Sequence, residues 1–252
     1  MQTLSTLFFR SSLLLLAILL LGCKKKHSPG CLTSSGPLTE QRRDLPAFSK
    51  IEIENAVETH IVHDSIYRVD VETGANLQRK IITKVSNDTL YIRDKNTCNF
   101  VRGYSHTPKV TIHLPYLRKL TNNSVHPAWF ESKFIQDSIR IHAGNSGDVH
   151  VYGTYGIILS TAHGNGDIYY SGKTKTILLY TNGTNYIYAQ DLEITSYAGF
   201  ETYSIGDCIV NGNGLPQLDF HIVKSGNIKC IGQPKVVFGK IDSTARGQFI
   251  PL

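Results

Sequence analysis

Two Gly-Asp pairs stand 19 residues apart, Gly147-Asp148 and Gly166-Asp167. If a repeat stacks them, their carboxylates lie about 5 Å apart, a pairing that glycosidases and metal-assisted lyases exploit. The same residues also suit a structural role, because Asp or Asn beside Gly bonds local backbone at a tight turn. Each can cap its own backbone there, so the turn reading is preferred, and Gly226-Asn227 occupies a similar place. A calcium site would need a repeated multi-carboxylate loop, and the sequence has none. Of the ten His, His142, His150, His163 and His221 fall at different places in the repeat. No column of imidazoles, and no metal site, is therefore expected. Tyr169 and Tyr188 do share a repeat position, and an aromatic ladder there would offer sugar rings or a protein partner a stacking surface. No Ser-His-Asp or Cys-His spacing and no phosphate-binding Gly loop accompanies them. The expectation is a non-enzyme without a cofactor.

The five Cys divide by position. Cys23 closes Leu20-Leu21-Gly22-Cys23 at the end of a Leu-rich run, residues 11–21, about half the length that a spanning helix needs. This resembles a bacterial lipobox, in which the thiol takes a diacylglycerol and cleavage follows Gly22. Several acyl chains at about 0.8 kcal/mol per buried CH₂ make such an anchor effectively permanent. Cys31, Cys98, Cys208 and Cys230 would then meet an oxidising compartment. Four Cys allow three pairings, of which Cys208 with Cys230 is preferred because they are close in sequence; buried free thiols are the alternative.

The elements that must position these residues are strands. Thirteen Tyr, ten Phe and 21 Gly against one Met and one Trp favour sheet and turn over helix. Residues 1–22 read as a cleaved signal and 23–47 as a polar, Pro- and Gly-bearing tether. A single domain is expected over 48–252, with an irregular β portion at 48–135, a repeat portion at 136–234 and a final strand region at 235–252. In the first portion Tyr67, Val69 and Val71 alternate with Arg68 and Asp70, the strand period of two. Thr89 to Arg93 follows a turn at Asn87-Asp88. In the second, Ser146-Gly147-Asp148-Val149 superposes on Asn165-Gly166-Asp167-Ile168, and Thr184-Asn185-Tyr186-Ile187 lies one more step of 19 away. Ile139, Ile158 and Ile177 align, as do Val149, Ile168 and Ile187. Ala198-Gly199-Phe200-Glu201 and the segment around Gly226-Asn227 read as looser copies. One such coil cannot bury its apolar face alone, so equal steps with matched columns point to a solenoid of stacked coils. An antiparallel meander is the alternative.

Charge narrows the partners. The chain carries 26 basic and 20 acidic residues, but Arg10, Lys24, Lys25 and Lys26 supply most of the excess, leaving the folded part close to neutral. The basis for nucleic-acid binding is thereby lost.

The opening strands over 48–93 and the repeated Gly-Ser-Gly-Asp type turns at 146–149 and 165–168 resemble the putative auto-transporter adhesin, head GIN domain family over about residues 48–234. That resemblance implies a right-handed parallel β-helix similar to pectin-lyase folds, no recognised catalytic residues and an adhesive role. The third turn departs from the pattern by lacking its Gly-Asp pair. The expected protein is an outer-membrane lipoprotein of the cell envelope whose solenoid face binds a glycan or a protein. The three Lys after Cys23, where acidic residues often mark surface export, favour the alternative of a periplasm-facing assembly partner. A carbohydrate-active enzyme is the minor alternative.

Overall fold

Alternation decides the strands. On β2 (Lys50–Asn55), Ile51 and Ile53 are buried while Lys50, Glu52 and Glu54 face outward. The computed structural model describes residues 34–97 and 107–252. The expected signal at 1–22, Cys23, its three Lys, Cys31 and Cys98 lie outside the described residues.

The first half is built out of order. β2 lies between β6 (Thr89–Asp94) and β8 (Lys119–Ser124), parallel to both. β3 (Glu58–His63) lies likewise between β7 (Lys109–Leu114) and β9 (Ala128–Phe130). Antiparallel strands close this end: β4 (Arg68–Gly74) on β7, β1 (Leu38–Arg43) on β4, and β5 (Ile81–Ser86) on β6. The antiparallel alternative thus holds for this cap alone. β1 corrects the expected tether at 23–47, since a strand already forms at Leu38–Arg43, before Phe48. Its sequence Leu-Thr-Glu-Gln-Arg-Arg has no buried face, so hydropathy could not announce it. Covering a sheet edge with a polar strand protects it from pairing with other chains.

From β8 and β9 onward two parallel ladders grow side by side. β10 (Phe134–Ala143), β11 (Val149–Ala162), β12 (Ile168–Thr181) and β13 (Ile187–Thr202) stack in parallel register. β13 then pairs with both β14 (Cys208–Asn211) and β15 (Gln217–Ile222). β16 (Ile228–Ile231) and β18 (Phe249–Pro251) continue from β14, and β17 (Val236–Ile241) continues from β15. The result is a parallel β-solenoid of about seven turns with a less regular N-terminal part.

Its core is a set of aliphatic columns. Ile139, Ile158, Ile177, Ala198 and Leu218 pair in sequence and are all buried. Val149, Ile168, Ile187, Cys208 and Ile228 do the same on the second ladder. Each fully buried aliphatic side chain stabilises the fold by about 1.5–3 kcal/mol relative to exposure.

Cys208 is thus a core residue, and Cys230 occupies a different inward column opposite Val210. Both are buried free thiols, which corrects the expected disulfide. They stand on neighbouring coils but two register positions apart, Cys208 opposite Ile228 and Cys230 opposite Val210.

The later repeats also need correction. Ala198 to Glu201 lie within β13 rather than at a corner, and the corner after Asn185 is Ser204-Ile205-Gly206-Asp207. Two register shifts in the β12–β13 pairing, at Tyr169/Ser171 and Thr174/Thr176, add residues to that coil. The next Gly-Asp pair therefore falls outside a search at constant step.

Candidate functional site

The corners between the two ladders hold the Gly-Asp pairs. A Cβ at Gly147, Gly166, Gly206 or Gly226 would lie 2.1, 2.4, 2.0 or 2.2 Å from a carbonyl oxygen of the coil before it. A side chain at any of these four positions would collide with the backbone of the preceding coil. The acidic neighbour then reaches forward to the next coil, not to its own. Asp148 Oδ1 accepts the Asp167 N–H at 2.8 Å, and Asp167 Oδ1 accepts the Tyr186 N–H at 2.7 Å. Asp207 Oδ1 accepts from the Asn227 backbone at 2.8 Å, and Asn227 Oδ1 from Gln248 N–H at 3.0 Å. These side chains form a lengthwise hydrogen-bonded seam.

Electrostatics differ along the seam. Burial raises Asp167 above the usual carboxylate range and the Asp148 charge adds to this, against the lowering effect of the Tyr186 N–H. Burial also pushes Asp207 upward, but Lys229 and the donors of Asn227 together hold it below that range. Lys229 Nζ sits 2.7 Å from Asp207 Oδ2. Among the described residues no three His, Cys, Asp or Glu side chains gather to hold a metal ion.

Beside the seam, on the second ladder, runs an aromatic stack. Tyr169 and Tyr188 lie ring on ring, 4.6 Å apart and 10° from parallel. The stack continues through His150, 4.4 Å from Tyr169, to Trp129, 3.6 Å from His150. Sequence reasoning missed Trp129 and His150. Their signal is spacing, 21 and then 19 residues, concealed by the change of residue type. Each stacked pair contributes about 0.5–1.5 kcal/mol beyond its buried area. Because the rings cover one another's faces, a sugar meets their edges and the two end faces only. A cavity of about 400 Å³ borders His150, Tyr169 and Tyr188.

The first ladder carries a larger hollow of about 850 Å³. Its floor follows the outward column Arg140, Leu159, Leu178, Gly199 and Asp219, whose members pair from coil to coil. Four such steps at about 4.8 Å span roughly 19 Å. One wall is the column His142, Thr161, Tyr180, Glu201 and His221. His142 and His221 thus share a column, contrary to the expectation from sequence, although Thr, Tyr and Glu separate them. His142 lies 5.4 Å from His163, ring to ring, and burial, His163 and Lys119 hold it below its ordinary value.

The two ends of the hollow differ in charge. At one end Asp219 accepts the Tyr197 hydroxyl at 2.9 Å and the Gln217 amide at 2.8 Å. His221 Nε2 is 2.8 Å from Asp242 Oδ1, and its Nδ1 is 3.8 Å from Glu201. At the other end stand Lys119 and Arg140, both exposed, with no ion pair among the described residues. No repeat motif runs the length of this hollow, because along its floor only Leu159 and Leu178 repeat in kind.

Comparison with solved structures agrees with the fold. A putative adhesin from Bacteroides fragilis is similar at TM-score 0.75 and 19% identity, over 86% of this chain and 97% of that one. A putative adhesin from Parabacteroides distasonis is similar at 0.59 and 17%, over 86% and 98%. A putative lipid binding protein from the same organism is similar at 0.56 and 17%, over 87% and 98%. No curated protein matches the chain. Residues 47–234 match the family described as putative auto-transporter adhesin, head GIN domain, and with three quarters of its length so matched the chain belongs to that family.

Proposed function

We propose that this chain is a lipid-anchored, non-enzymatic binding module of the cell envelope that holds a glycan against the outer face of its solenoid. The hollow on the first ladder carries the reading. It joins a partly apolar floor to hydroxyl, carboxylate, imidazole and cationic walls, the mixture that small polar ligands need for contact and orientation. A non-catalytic role is supported by Asp148 and Asp167, which each commit an oxygen to the next coil's backbone. Membership of an adhesin-named family supports display at the envelope. Cys23 supplies the anchor.

A second reading, an assembly partner facing the periplasm, draws on β17. Val236, Val237, Phe238 and Ile241 are all exposed there, an apolar sheet edge of the kind that pairs with other chains. Antibody labelling and protease shaving of intact cells beside lysed cells separate the two, with Cys23→Ala as the unanchored reference. The adhesin reading expects labelling of intact cells. Protection until lysis removes it and leaves the assembly partner.

A further inference from the structure

We infer that the hollow on the first ladder is a site for a carboxylate-bearing oligosaccharide, with Arg140 and Lys119 taking the carboxylate and Leu159 and Leu178 the C–H face of the sugars. The inference rests on the binding-module reading above and gives its ligand a class.

The charges point the same way along the hollow. Asp219 already holds the Tyr197 hydroxyl and the Gln217 amide, and His221 is paired with Asp242. Arg140 and Lys119, on adjacent coils, have no ion pair among the described residues. A planar guanidinium presents a fork of donors that fits a carboxylate through two parallel bonds. The nearby His142 is held toward its neutral form, so the positive end is defined by these two side chains. Leu178 is 39% exposed and Leu159 is half-buried; two apolar side chains in line along the floor suit the alternating polar rim and C–H face of a sugar chain. Thr161 and Tyr180 add hydroxyls at the wall.

Other classes fit less well. An extended peptide binds a sheet by adding a strand at an edge. This floor is sheet interior, where Leu159 already lies between Arg140 and Leu178. An acyl chain gains from enclosure in apolar walls, and this hollow, although partly apolar, lies on the outer sheet face with the exposed charges of Lys119, Arg140 and Glu201 along it.

The test measures binding of the full-length chain to oligogalacturonate and sialyllactose, each beside its carboxyl-reduced or asialo counterpart. Acidic peptide and fatty-acid vesicles provide the competing arms. At least one acidic sugar is expected to bind at least tenfold more tightly than its neutral counterpart, and more weakly at high salt. Lys119→Ala with Arg140→Ala, exposed positions whose loss leaves the core intact, is expected to remove that preference. Leu178→Ala weakens both sugars alike, and circular dichroism checks the fold of each variant. Equal binding of acidic and neutral sugars, or a double variant that binds as the parent does, overturns the inference and leaves the binding module standing. Binding of peptide or vesicles without sugar also overturns it. Failure of every probe counts against both the inference and the glycan reading.

Discussion

Replacing Gly166 by Ala tests the claim that the corners are set by distance between coils. The added Cβ would sit 2.4 Å from the Gly147 carbonyl oxygen and 2.7 Å from its carbon, all backbone of the preceding coil. Gly166 is not in the left-handed region, so conformation contributes nothing and the whole effect is steric. Relief requires the coils to part by about 1 Å to restore ordinary contact. The bonds from Gly166 N–H and Asn165 N–H to Asn145 O, at 2.9 and 3.1 Å, would then be lost. Two such bonds at about 1 kcal/mol each, added to about 1–3 kcal/mol of overpacking, give roughly 3–5 kcal/mol. Gly214→Ala is the matched control: its φ is +69° and no atom lies within 4 Å of the added carbon. Only the left-handed conformation costs there, about 1–2 kcal/mol. Urea unfolding followed by circular dichroism compares the two. A Gly166→Ala protein within 1 kcal/mol of the parent, or less affected than Gly214→Ala, would refute the argument.

The seam makes opposite predictions for two aspartates in one column. Asp207 is held low, so its stabilisation is present above the unfolded value near 4 and is lost as pH falls through the folded one. Asp207→Asn should therefore destabilise at pH 7, with the gap closing in acid. Asp167 is held high, so its contribution is full below the unfolded value and is lost as pH rises through the folded one. Asp167→Asn, which can still accept the Tyr186 N–H, should stabilise at pH 7; thermal melts from pH 3 to 8 that gave both variants the same sign would contradict this. Asn185 stands where other corners carry Gly; its Oδ1 is buried without a partner, a larger cost than the long 3.3 Å bond from its Nδ2 to Gly164 O offsets. Removing that acceptor gains about 1–3 kcal/mol against about 0.5–1 kcal/mol for the freedom of Gly, so Asn185→Gly is expected to raise stability by up to about 1 kcal/mol, and a loss seen in urea melts would count against the column. Burial pushes the Cys208 thiol up to about 12 and raises Cys230 as well. Iodoacetamide at pH 8 should leave both unmodified in the folded protein and label both in urea, as mass spectrometry would show.

Much of the fold is legible in the sequence because one rule repeats. Ile139, Ile158 and Ile177 share a column for the same reason that they share a spacing: the coils between them are equal in length. Legibility fails where that equality fails. The extra residues on β13 move Gly206-Asp207 away from the expected step, and β1 pairs through its backbone while burying nothing. The aromatic stack was half visible, since Tyr169 and Tyr188 repeat in kind whereas His150 and Trp129 repeat only in place. The hollow was invisible, because Arg140, Leu178 and Asp219 come together by register and not by similarity. The disulfide expectation treated nearness in sequence as nearness of side chains, yet an inward Cys in a solenoid meets the residue directly opposite it on a neighbouring coil, Ile228 for Cys208 and Val210 for Cys230.

A crystal structure of the full chain with bound oligogalacturonate or sialyllactose tests the account most directly. The carboxylate is expected at Arg140 and Lys119 and the sugar rings along Leu159 and Leu178. A sugar seated instead on the Trp129 to Tyr188 stack, or at the Asp148 and Asp167 corners, would contradict it.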